Sequence, residues 1–176
     1  MCIILIGEVT KEQHELALAQ NRDGFSLFTQ EQGLVKKPSN AQVQRALGEF
    51  GIWHYRIGTS GRISAQDTYN VHPFVICKGK YLLYHNGILG EGLGKMSDTH
   101  ALAETLADVS VTTARSVLAS LAHGSRFVLA DAKDPHKFEL FGEWVCDAGV
   151  LMSHRMIKPV PATTYGYGNY YKGGKY

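Results

Sequence analysis

With 176 residues, 44% of them apolar and 19% charged, the chain is long enough for one well-buried core and short for two. Lys+Arg 18 against Asp+Glu 16 leaves a net charge of +2, which gives no basic footprint for nucleic acid and implies no acidic partner. The three cysteines, Cys2, Cys77 and Cys146, have no CxxC spacing and leave one over if two were paired, the usage of a reduced, intracellular protein.

The opening apolar run, residues 2–6, is too short for a signal segment and no basic residue precedes it. No later run approaches membrane-spanning length, so a cytoplasmic location without a membrane partner is expected. Residues 2–9 are apolar and rich in β-branched side chains, which predicts a buried strand with Cys2 at its head. Helix formers follow over residues 10–19 behind a possible Thr10 cap, and Asn21-Arg22-Asp23-Gly24 supplies turn chemistry. Two short strands around Glu31-Gln32-Gly33 read as a hairpin.

Pro38-Ser39-Asn40 signals a helix start, with Val43, Ala46, Leu47 and Phe50 at helical spacing. Strand character returns over residues 51–56, and again over 74–77 and 81–84, a pair that delivers His85-Asn86-Gly87 at its far end. The glycine-dense residues 90–94 lack the ending of a phosphate loop and read as a crossing. Ser97 is expected to cap a helix with Ala101, Leu102, Leu106 and Val109 on its core face. Thr112 or Thr113 should cap another carrying Val117, Leu118 and Leu121. Further strands are expected over residues 124–130, 137–141, 144–146 and 149–153, separated by Asp-Pro and glycine turns. The order of elements predicts a layered α+β domain with mainly antiparallel sheets, and after Pro161 a Gly/Tyr-rich tail, residues 161–176, that cannot build a core.

Cys2 has a property no internal cysteine shares. Removal of Met1 would leave a thiol and an α-amine on one residue, titrating near ~8.5 and ~8, so that the amine serves as base for its own side chain. As an isolated residue, Cys2 also fits a small apolar filler of a buried strand. Arg56 also fits a surface ion pair, Asn86-Gly87 a turn, and Asp98 helix-start chemistry beside Ser97. His54, His72 and His85 lack any dense metal-ligand spacing, so no metal is expected, and Cys77 and Cys146 read as core.

Taken in order, Cys2, His54-x-Arg56-x-x-Thr59-x-Gly61, His72-Pro73-Phe74, His85-Asn86-Gly87 and Ser97-Asp98 resemble the glutaminase domain of class II glutamine amidotransferases, members of the N-terminal nucleophile hydrolases. Asn21-Arg22-Asp23-Gly24 resembles that family's early turn, and residues 124–131 and 144–153 its later strands, so the likeness spans about residues 2–155. The resemblance implies an αββα sandwich over residues 1–160 and makes Cys2 the nucleophile. Asn86 and Gly87 become the oxyanion donors, Arg56 the partner of the α-carboxylate, Asp98 that of the α-ammonium, and Thr59 a pocket residue. It implies glutamine as substrate, release of ammonia through a thioester, no cofactor, and an ammonia-accepting synthetase as a possible partner. The competing expectation is a non-catalytic module of the same fold that docks into an assembly through its tail.

Overall fold

A computed structural model describes residues 1–58, 61 and 68–156. Thr59 and the tail, residues 161–176, lie outside the described residues. The described chain is a mixed α+β domain with two antiparallel sheets and four helices, in the order β1 (Ile3–Glu8), α1 (Lys11–Gln20), β2 (Gly24–Thr29), β3 (Gly33–Lys36), α2 (Asn40–Ala46), β4 (Phe50–Arg56), β5 (Phe74–Ile76), β6 (Tyr81–Asn86), α3 (Asp98–Thr105), α4 (Val111–Leu121), β7 (Arg126–Asp131), β8 (Asp134–Phe141), β9 (Val145–Asp147) and β10 (Val150–Met152). The larger sheet runs β3-β2-β4-β1-β10-β9 and the smaller β5-β6-β7-β8.

Strand alternation decides where side chains go. Odd-numbered residues of β1 and β4, Ile3, Leu5, Trp53 and Tyr55, cluster with Ala17 of α1 and with Val43 and Ala46 of α2. Odd-numbered residues of the smaller sheet, Leu83, Phe127 and Leu129, cluster with Ala103 of α3 and with Ala114 and Leu118 of α4. Even-numbered residues from both sheets, Ile4, Ile6 and Ile52 with Leu82, Tyr84 and Val128, form a third cluster. These strands are apolar on both faces for that reason, which is why the sequence shows runs there and little alternation.

Capping residues set the helix starts. Thr10 and Ser39 each form a reciprocal capping box, with Gln13 and Gln42, and Ser97 accepts from the His100 N–H. The last helix departs from expectation: its cap is Ser110, which accepts from Thr113 N, so Thr112 and Thr113 lie inside the first turn. Leu121, expected in the core, is 36% exposed, and Ala114 takes the buried position two turns earlier. Helix α2 also stops sooner than its apolar spacing suggests. It ends at Ala46 before Gly48, whose φ of 79° a β-carbon disfavours, and Phe50 opens β4. Pro135, expected in a turn, is the second residue of β8, an edge strand where a missing N–H costs no ladder bond.

No helix among the described residues is long and apolar enough to cross a membrane.

Candidate active site

The third cluster turns polar at one end. Register pairs Ile3 with Tyr55 and Ile4 with His54, so continuing the even-numbered face of β4 gives His54 and then Arg56, across from Cys2 at the head of β1. In β6 the same parity carries Leu82, Tyr84 and then Asn86. A small cavity at this end is lined by Cys2, Arg56, His72, His85, Gly87 and Asp98, with Ile57, Ser97 and Thr99. Four of the five sequence-predicted site residues in the described chain therefore share one wall, although 96 positions separate the first from the last.

The Cys2 thiol contacts the Ile57 carbonyl oxygen at 3.8 Å. Burial pushes the thiol up from its ordinary value, opposed by the Ile57 backbone contact and the Arg56 guanidinium. A thiol so placed needs a base beside it to react. The peptide before it is held by Asn21, whose Nδ2 donates to the Met1 carbonyl at 2.9 Å and to the Tyr55 carbonyl at 3.0 Å. Arg56 is 4% exposed, and its strand end is fixed by the Asp23 turn: Asp23 N donates to Arg56 O at 3.0 Å, and Gly58 N donates to Asp23 Oδ2 at 2.7 Å.

Gly87 is required by close approach. A β-carbon there would collide with Ser125 Oγ and stand 2.8 Å from His85 Nε2. His85 is clamped behind it, with Nδ1 paired to Thr99 Oγ1 at 2.7 Å, Nε2 paired to Ser125 Oγ at 3.0 Å, and the ring stacked on Phe127 at 4.6 Å. Asn86 does not line the cavity. Its Nδ2 donates to Ser153 Oγ at 2.9 Å and reaches His154 Nδ1 at 3.2 Å, and its Oδ1 is buried without a partner. A half-turn of that amide would let Oδ1 accept from the Ser153 hydroxyl and put N–H groups where the orphaned oxygen lies.

Asp98 opens α3 and closes the crossing from β6. Its Oδ2 accepts from Leu89 N at 2.9 Å and its Oδ1 from Thr99 N at 2.7 Å. Asn70 pins the same helix start, its Oδ1 accepting from Ser97 N at 2.8 Å and its Nδ2 donating to Lys95 O at 2.8 Å. Asn21, Asn70, Ser125 and Ser153 are the positioning residues that sequence reasoning missed. Asn21 stood inside the quoted turn and Asn70 two residues before His72-Pro73-Phe74, whereas nothing local marks Ser125 or Ser153.

The cavity is small, with about 10 Å³ of room for a water-sized sphere. That is space for about one water molecule. Three larger hollows lie elsewhere, one of about 370 Å³ beside Thr10, Leu16, Met152 and Met156, and these three are lined by neither Cys2 nor Arg56. Among the described residues no group of three or more His, Cys, Asp or Glu side chains is placed to hold a metal ion.

Burial holds several imidazoles below their ordinary value of 6.5: His85 to about 4, His54 to about 3, and His14, His72, His100 and His154 in the same direction. A histidine depressed in the folded state binds its proton more readily in the unfolded chain, so stability is full above about pH 6.5 and falls as pH drops toward the folded value. Urea midpoints are expected to be flat above about pH 7.5 and to fall by pH 5, with roughly 4 kcal/mol lost from His54 and His85 together. An unchanged midpoint over that interval would contradict the burial of these rings.

No protein-family model matches the chain, and no curated protein matches its sequence.

Proposed function

We propose that this protein is a glutamine amidohydrolase of the class II amidotransferase type, built on the αββα sandwich of N-terminal nucleophile hydrolases. The observation that carries the reading is the meeting of Cys2, Arg56, Gly87 and Asp98 in one cavity wall. The layering is supported by the three apolar clusters, two between helices and a sheet and one between the sheets.

In the proposed reaction Met1 is absent, and the Cys2 α-amine takes the proton of its own thiol as Sγ attacks the side-chain carboxamide. The C–S bond forms, the negative oxygen rests on the Gly87 N–H and on Asn86 once its amide turns, and the C–N bond breaks as the amine returns the proton to the departing ammonia. Water then gives a proton to the amine and attacks the thioester, and glutamate leaves as the thiol is restored. Arg56 and Asp98 match the two charges of a free amino acid removed from water, with Thr59 as a further pocket residue. The ammonia passes to a synthetase partner or to solvent, in the cytoplasm, without a cofactor.

The small size of the cavity suits a second reading, a non-catalytic module of this fold, for which residues 161–176 are proposed as the docking segment. Intact mass and glutamate release decide between them. Chain lacking Met1 is expected to release equal amounts of ammonia and glutamate from glutamine, and chain retaining Met1 to release neither. A native protein that keeps Met1 and is inert supports the docking module.

A further inference from the structure

His72 has no part in that reaction, yet it lines the same cavity. It is 3% exposed, and neither Nδ1 nor Nε2 has a hydrogen-bond partner. The ring is held by packing alone, 4.1 Å from the His54 ring and 4.9 Å, edge on, from Phe74. His54 cannot serve it, because its Nε2 donates to the His85 carbonyl at 3.2 Å, which fixes its tautomer and leaves Nδ1 bare. A buried imidazole with both nitrogens unmatched calls for a ligand that brings a donor and an acceptor.

Two roles fit such a ring beside Cys2. As a general base it would be weak: burial first, with the Arg56 and Lys36 charges around it, drives its pKa well down, while the thiol it would serve is pushed up. As a neutral hydrogen-bonding group it is suited, since the same surroundings keep it unprotonated.

We propose that His72 is a substrate-binding residue that reads the carboxamide, its bare ring nitrogen accepting an N–H of the side-chain amide presented to Cys2. The inference rests on the glutamine reading of the cavity and deepens it. A carboxylate in the same place brings no N–H and is met only by the tautomer that turns a ring N–H toward it, whereas the carboxamide, with both a donor and an acceptor, is met by either tautomer. The site thus prefers glutamine to glutamate and sheds its product.

Binding without turnover isolates this role. In Met1-free full-length chain carrying Cys2→Ala, calorimetric titration is expected to show glutamine bound more tightly than glutamate. Adding His72→Phe should cut that preference by about 10- to 100-fold, chiefly through weaker glutamine binding. His72→Gln, which keeps a donor and an acceptor, should retain most of it, and His72→Met serves as the apolar variant if the phenylalanine disturbs folding. An unchanged glutamine-to-glutamate ratio in the apolar variants overturns the assignment while leaving the glutamine site standing. Binding of neither amino acid to the Cys2→Ala chain removes the glutamine reading and this inference with it.

Discussion

Cys2→Ala is expected to abolish glutamate release from glutamine, by about 10⁴-fold or more, in protein that melts within about 2 °C of the parent. The size of the loss follows from the absence of a substitute. Cys77 packs against the α3 and α4 cluster, and Cys146 is exposed on β9, so neither thiol lines the cavity. The fold should be indifferent because the Cys2 side chain contributes only the long contact to the Ile57 carbonyl, while the strand behind it is held by Ile3, Ile4 and Leu5, all fully buried. Cys2→Ser separates nucleophilicity from size. Its hydroxyl is a far weaker nucleophile than a thiol at neutral pH, so its rate should stay near that of the alanine variant. A coupled glutamate assay beside a melting curve reads both quantities, and activity retained in the alanine variant would place the chemistry elsewhere.

The parts of this fold that local chemistry controls were legible in the sequence. β1 and β4 announced themselves as apolar runs, and Thr10, Ser39 and Ser97 cap where a hydroxyl precedes helix formers. The fourth helix misled because three hydroxyl residues stand near its start. Ser110 won because it lies one residue ahead of the first helical position, where its oxygen reaches Thr113 N. What local chemistry cannot give is register. That Cys2 lies across from Arg56 depends on the pairing of Ile3 with Tyr55, a contact between strands 52 residues apart. The occupied Asn86 amide is a sharper case. Its partners, Ser153 and His154, lie just past the end of β10, 67 and 68 residues away, and nothing around Asn86 foretells them. His72 was legible as a residue of interest, and its significance lies in what it lacks, which only the packed interior shows.

Arg56→Lys is expected to raise KM for glutamine by about 10- to 100-fold with kcat changed less than about threefold. The guanidinium and the ammonium carry the same charge, so the electrostatic help that position 56 gives the Cys2 thiol is largely kept, and the difference lies in the fork. Losing one of two charge-assisted hydrogen bonds to a carboxylate costs about 1.5–3 kcal/mol, which sets the size of the change. The loss falls on KM because the α-carboxylate does not react. It is bound alike in the ground state and in the transition state, and uniform binding leaves kcat alone. Glutaminamide, whose α-carboxylate is masked as an amide, completes the test as the substrate half of a double-mutant cycle. The parent should handle it poorly, and Arg56→Lys should make it little worse, because the fork has nothing left to hold. Equal losses on both substrates would mean that Arg56 supports the wall of the cavity, a role its 4% exposure and the Asp23 backbone contact also equip it for, and that another group receives the carboxylate.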